Sequence, residues 1–166
     1  FYAEPPHHPD PRHTARAVGN CAAVRHNGRV SMAREEQNGE LARLLHEMRP
    51  FLHELPVVFC MVRPGVLVYL PFEPLGLFHE EEGVTVIAPV DEADRAELPY
   101  DGWWAHITLG VQSPLDTVGF MAAVTSALAR AGISVNPVSA FHHDHLFVPW
   151  KRREEAMEIM KNLESS

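Results

Sequence analysis

The chain has 166 residues, of which 46% are hydrophobic and 22% charged, and its formal net charge is −8. That length holds one ordinary domain or two small ones sharing a core, and the apolar content suffices for a packed interior, which argues against wholesale disorder. The acidic balance disfavours a nucleic-acid partner, which needs clustered Lys and Arg, and the longest apolar stretch, about 55–70, is broken by Arg63, Pro64 and Gly65 before it reaches the ~20 residues of a membrane helix.

Residues 1–37 read as a flexible N-terminal arm or leader. They hold paired prolines and histidines (Pro5, Pro6, His7, His8), and between Pro11 and Arg34 there are five arginines and no acid, the composition of an organellar transit segment. A leader ahead of a start at Met32 fits equally, so the expected location is cytoplasmic, with an organelle as the alternative. Cys21 and Cys60 are too few and too far apart for a disulfide scaffold, and Cys60 sits in an apolar run as a buried reduced thiol would.

Leu41, Leu44, Leu45 and Met48 share one face of a helix that ends before Pro50. Val57 to Val62 is a continuous β-forming run stopped by Pro64-Gly65, which predicts a buried strand. Val66 to Leu70 fits either a strand or a short helix. Leu75 to Phe78 and Val84 to Ile87 flank Glu80-Glu81-Glu82-Gly83 as the arms of a hairpin, and the acid run is a solvated tip rather than a catalytic carboxylate pair. Asp91 to Leu98 predicts a brief helix capped by Asp91.

From Trp103 to Val111 the pattern alternates, with Ala105, Ile107, Leu109 and Val111 on one face and Trp104, His106, Thr108 and Gly110 on the other, so this is a strand. Ser113 is placed to cap a helix with Pro114 at its first position, and Gly132 supplies its left-handed stop. Ile133 to Ala140 and His145 to Val148 predict two further strands, and Arg152 to Leu163 an amphipathic helix. Strand, helix, strand, strand, helix is most of an α+β ferredoxin-like βαββαβ unit. One strand is missing. Two intertwined units with antiparallel sheets, each lending a strand to the other, close both.

Leu115 to Phe120, Ala129 to Asn136, Val138 to Ala140 and His143 to Pro149, with Pro74 to Val86 upstream, resemble the small tandem-ACT proteins, relatives of the CASTOR-type ACT repeats. The resemblance covers about residues 40–163 and implies a first ACT-like half over 38–99, a second over 100–166, and a regulatory amino-acid effector site rather than an enzyme. It also implies a small-molecule, amino-acid-like ligand and a homo-oligomer as partners, with no cofactor.

The expected ligand site is the mouth of the Ser113 helix, where backbone amides and the positive end of the helix dipole suit a carboxylate. Ser113, Leu115 and Asp116 are its candidates there; Asp144 pairs with a ligand ammonium, Asn136 and Ser139 add neutral hydrogen bonds, and Val138 an apolar wall. Each has a structural alternative: Ser113 as a simple cap, Asn136 as a turn residue, Asp144 as a support for the adjacent histidines. His142-His143-Asp144-His145 is the most enzyme-like feature. His106, His143 and His145 on neighbouring strands form the alternative metal site, although the register sets Thr108 rather than His106 opposite His145 and no fourth ligand is evident. No nucleophile elbow, phosphate loop or dinucleotide fingerprint is present, so no catalytic residue is assigned. A ligand-free dimerisation domain built on an exposed sheet face is the remaining alternative.

Overall fold

In the computed structural model, which describes residues 27–165, seven strands form one antiparallel sheet with its helices on one side. The order in the chain is α1 (Asn27–His46), β1 (Pro50–Leu52), β2 (Val57–Val62), a 3-10 helix (Pro64–Tyr69), β3 (Gly76–His79), β4 (Val84–Pro89) and α2 (Val90–Arg95). There follow β5 (Trp104–Leu109), α3 (Phe120–Arg130), β6 (Asn136–Ser139), β7 (Asp144–Pro149), a 3-10 turn (Trp150–Arg152) and α4 (Arg153–Glu164). The sheet runs β3-β4-β2-β5-β7-β6, with β1 also beside β5.

The missing strand is β1. Three residues long, it pairs Pro50 with Leu109, Phe51 with Thr108 and Leu52 with Ile107, so the second unit reads β1-β5-β7-β6 across its sheet. The first unit, β3-β4-β2, is closed in turn by the segment entering β5, where Tyr100 bridges Cys60 and Trp104 pairs with Val57. Each unit thus takes its outer strand from the other part of the chain, which makes the whole an α+β pair of ferredoxin-like units.

The alternation in β5 decides which side is covered. Ala105, Ile107 and Leu109 join Leu44, Met48, Phe120, Val124, Leu128 and Met160 in the main core under α1, α3 and α4. Val58, Cys60 and Val62 with Val84, Val86 and Ala88 make a smaller core against Ala93 of α2 and Leu67 of the 3-10 helix. Pro64 at the start of that 3-10 helix and the β-branched residues after it oppose a longer α-helix, so the first unit has one turn where the second has α3. Burial pushes the Cys60 thiol above its ordinary range, as expected of an inert core cysteine.

Several boundaries differ from the sequence-based expectation: β6 is confined to Asn136–Ser139, β5 to Trp104–Leu109, and α2 ends at Arg95. α1 reaches back to Asn27, into the segment read as an arm: residues 35–40 are exposed, so no apolar stripe announces this stretch, and nearer the helix end Arg43 pairs with Glu40 and Glu47. The arm, leader and transit readings otherwise fall on residues 1–26, outside the described residues, as does Cys21. α3 starts at Phe120 rather than Pro114, because Gly119 takes φ +92 and sets the helix entry there. In α2, Asp91 lies inside the first turn and Pro89 occupies the cap position. No helix among the described residues is long and apolar enough to cross a membrane.

Candidate functional site

Asp144 is the one Asp, Glu, Lys or Arg in any of the seven strands, and it is 3% exposed. A carboxylate at that depth needs partners, and it has two. The Ser113 hydroxyl donates to Oδ2 at 2.6 Å, and the Ser139 hydroxyl donates to Oδ1. β6 and β7 bring Ser139 opposite Asp144 by register, and the loop leaving β5 folds back to deliver Ser113. Leu115, Pro114, Thr117, Phe120 and Met121 close a cavity of about 40 Å³ around this trio.

Helix α3 contributes its first turn to the cavity wall through Phe120 and Met121. No side chain caps this end, so the amides of the first turn, which have no acceptor within a helix, are directed to the loop. The loop is held by a turn in which Thr117 N–H donates to the Pro114 carbonyl at 2.9 Å. The glycine at 119 is required for the entry angle. Gly119→Ala is expected to cost about 1 kcal/mol of stability from its positive φ, even though an added Cβ would meet nothing closer than Leu41 at 3.6 Å; a urea melt checks this.

Of the seven residues expected at the ligand site, Ser113, Leu115, Ser139 and Asp144 gather at this cavity. Asp116 instead lines a separate hollow with Gln37 and Glu40 on the α1 side of the loop. Asn136 and Val138 are corrected more sharply: they pair with Phe147 and His145, which places them on the opposite, helix-free face of the sheet. Neither Leu115 nor Asp116 lies in the helix's first turn, so their nomination as amide donors falls with the displaced helix start. Phe120 and Met121, which do lie there, were hidden from the sequence reading by the same displacement.

The histidines occupy the helix-free face. His106 Nε2 and His145 Nδ1 share a hydrogen bond of 2.9 Å, and the His53 ring stacks on His106 with centroids 3.9 Å apart. His53 Nε2 meets the Thr108 hydroxyl at 2.9 Å, and Phe147 lies against the other side of His106. His106 is 4% exposed; burial, reinforced by repulsion from His53 and His145, pushes its pKa down to about 3. Burial also lowers His53, and His145 is lowered by burial and by His143 and His53, with Asp144 opposing.

The alternative metal trio does not assemble. His143 turns away, its Nδ1 donating to the Val111 carbonyl at 3.4 Å, while His106 and His145 bond to each other. Among the described residues no group of three His, Cys, Asp or Glu side chains is spaced to hold a metal ion. His53, the actual third imidazole, escaped the sequence reading because it follows β1, a strand too short to announce itself.

Two ACT-domain family models match the sequence, one over residues 38–105 and the other over residues 101–162. Among solved structures, the chain is similar to a Vibrio cholerae protein of unknown function, described as a possible transport protein, with 34% identity and a TM-score of 0.69 over 77% of this chain and 98% of that one. A protein from Agrobacterium tumefaciens aligns with 17% identity and a TM-score of 0.59, covering 69% of this chain and 87% of that one. The regulatory subunit of aspartate kinase from Thermus flavus aligns with 12% identity and a TM-score of 0.53, covering 69% and 95%. These last two likenesses show the fold alone. No curated protein matches the sequence. The two consecutive family matches, and the two strand-exchanged units that they cover, mean that this chain belongs to the ACT-domain family as a tandem pair.

Proposed function

We propose that the chain is a regulatory module that binds a small amino-acid-like metabolite at the Ser113–Ser139–Asp144 cavity and does no catalysis of its own. The observation that carries this reading is the single strand carboxylate, buried and facing the first turn of α3 across a small gap. Each carboxylate oxygen accepts more than one hydrogen bond, so Asp144 has capacity for a ligand ammonium besides its two serine hydroxyls. The first-turn amides of α3 suit the ligand's carboxylate at the other side.

At about 40 Å³ the cavity has room for roughly one water, so an amino acid enters only if the loop from Ser113 to Val118 moves outward. Room for that movement exists: a hollow of about 210 Å³ separates the loop from Gln37 and Glu40 of α1. Occupancy therefore repositions the loop against α1, which offers a route from ligand to partner. Differential affinity for the open loop is what would shift the population.

A thermal-shift screen of the common amino acids tests this. At least one is expected to raise the melting temperature, by the equivalent of about 2.7 kcal/mol at a hundredfold excess over its Kd. Asp144→Asn is expected to remain folded and lose the shift. No shift with any member of the panel would overturn the reading.

A further inference from the structure

On the helix-free side, where the β1–β2 loop crosses the seam between the two units, a hollow of about 450 Å³ opens beside the imidazoles. Phe51, Leu55, Val57, Leu75 and Pro89 form its walls, His106 and His53 also line it, and Glu54 is the one charged residue on it. Apolar walls with a few convergent polar groups are the usual make-up of a small-molecule site. The polar group set deepest here is His106. The two units repeat one another strand for strand, and the position matching His106 in the first unit is Phe59: Phe59 pairs with Ile87 two residues before Pro89, as His106 pairs with Phe147 two residues before Pro149. A phenyl ring therefore suffices for packing at this place in the fold, and a buried imidazole costs more than it.

The ring of His106 is held on three sides. His53 stacks on it at 3.9 Å, Phe147 lies against its other face, and Nε2 shares a hydrogen bond with His145 Nδ1, with the Thr108 hydroxyl at 3.4 Å. Its Nδ1 has no hydrogen-bond partner among the described residues. No enclosed side-chain nitrogen or oxygen among them is left without one, so this nitrogen is not enclosed and opens onto the hollow that His106 lines. A neutral imidazole carries one proton, so Nδ1 accepts when Nε2 donates to His145 and donates when Nε2 accepts. A hydroxyl group answers either arrangement. A carboxylate would meet Glu54 and the net charge of −8, and an ammonium would find its counter-charge only at Glu54, which is exposed. The exposed ring of Phe51, set edge-on to His53, favours a flat aromatic body against it.

We propose that this hollow is a second ligand site, which takes a neutral aromatic molecule bearing a hydroxyl, with the hydroxyl on His106 Nδ1 and the ring between Phe51 and Leu75.

The experiment titrates the full chain with 2-naphthol, naphthalene and 2-naphthoate, three bodies of one shape that differ in the polar group, and follows the imidazole nitrogens by NMR. Saturable binding of 2-naphthol is expected with a Kd on the order of 100 µM, accompanied by a shift of the His106 Nδ1 resonance. Naphthalene and 2-naphthoate are each expected to bind about tenfold more weakly or worse, the one for want of the hydrogen bond and the other through repulsion. His106→Phe keeps the ring and removes the nitrogen, and is expected to bring 2-naphthol down to the affinity of naphthalene. Leu75→Glu, at a half-exposed wall position, is expected to weaken 2-naphthol about tenfold by adding a polar group to the apolar wall, and keeps the proposal testable should His106→Phe not fold. Equal affinity for 2-naphthol and naphthalene overturns the proposal, as does a His106→Phe chain that binds 2-naphthol as the wild type does. So does the lack of saturable binding at millimolar concentrations. The amino-acid cavity lies on the helix side of the sheet, so a negative result at either place leaves the other reading standing.

Discussion

Acidification from pH 6.5 toward pH 5 is expected to weaken this fold steeply, and His106→Phe is expected to flatten that dependence. The sign follows from the buried imidazole. His106 has a folded pKa of about 3 against 6.5 for the free side chain, so between those values the unfolded chain holds a proton that the folded chain refuses. Stability is then fully present above pH 6.5 and declines as pH falls, at roughly 1 kcal/mol per pH unit for this one group. His53 and His145 are lowered as well and add in the same direction.

Urea denaturation at several pH values between 7 and 5 measures the slope. Glu40 and Glu155, held below the usual carboxylate range by Arg43 and Arg152, lose their contribution only in more acidic solution and stay outside this window. Phenylalanine suits position 106 because the ring already lies between His53 and Phe147, and Thr108 remains at 3.2 Å from His145 Nδ1 to replace the lost hydrogen bond. An imidazole NMR titration placing His106 near 6.5, or equal slopes for wild type and variant, would remove the argument.

Asp144→Ala is expected to destabilise the protein by about 2–3 kcal/mol, the range for losing hydrogen bonds to a charged group and leaving enclosed hydroxyls without an acceptor. Ser113 and Ser139 both donate to this carboxylate, so its removal frees the β5–α3 loop and the β6–β7 hairpin together. The double change Ser113→Ala/Ser139→Ala should cost less per group than the aspartate, provided that Asp144 then recruits water. Chemical denaturation of the three proteins settles the order. If Asp144→Ala proves as stable as the wild type, the carboxylate is not the anchor of the pocket, and the ligand proposal loses its central group.

Sequence alone determined the strands and helices whose side chains alternate or repeat strongly. The two-sided alternation of 104–109 and the amphipathic stripe of 153–164 follow from burying one face, which leaves its period in the residues, and the unbroken run at 57–62 follows from apolar packing on both faces of its strand. The ferredoxin-like order was legible for the same reason, whereas the tandem ACT character was legible only through the resemblance carried by the motifs at 74–86 and 115–149. Of the candidate site, Asp144, Ser113 and Ser139 were nominated because the topology makes β5 and β7 neighbours, which sets the loop leaving β5 beside the start of β7.

Other features belonged to the tertiary structure. β1 is three residues with no period of its own, and it exists only because β5 offers an unpaired edge; with it came His53 and the stacked imidazoles. The start of α3 was decided by the left-handed turn at Gly119 and not by the cap signal at Ser113, whose hydroxyl the fold directs to Asp144. Which side of the sheet Asn136 and Val138 face depended on the register of β6, since a shift of one residue exchanges the two faces of a strand. Local pattern shows that a segment pairs; only long-range packing fixes what it pairs with, and therefore which side chains meet.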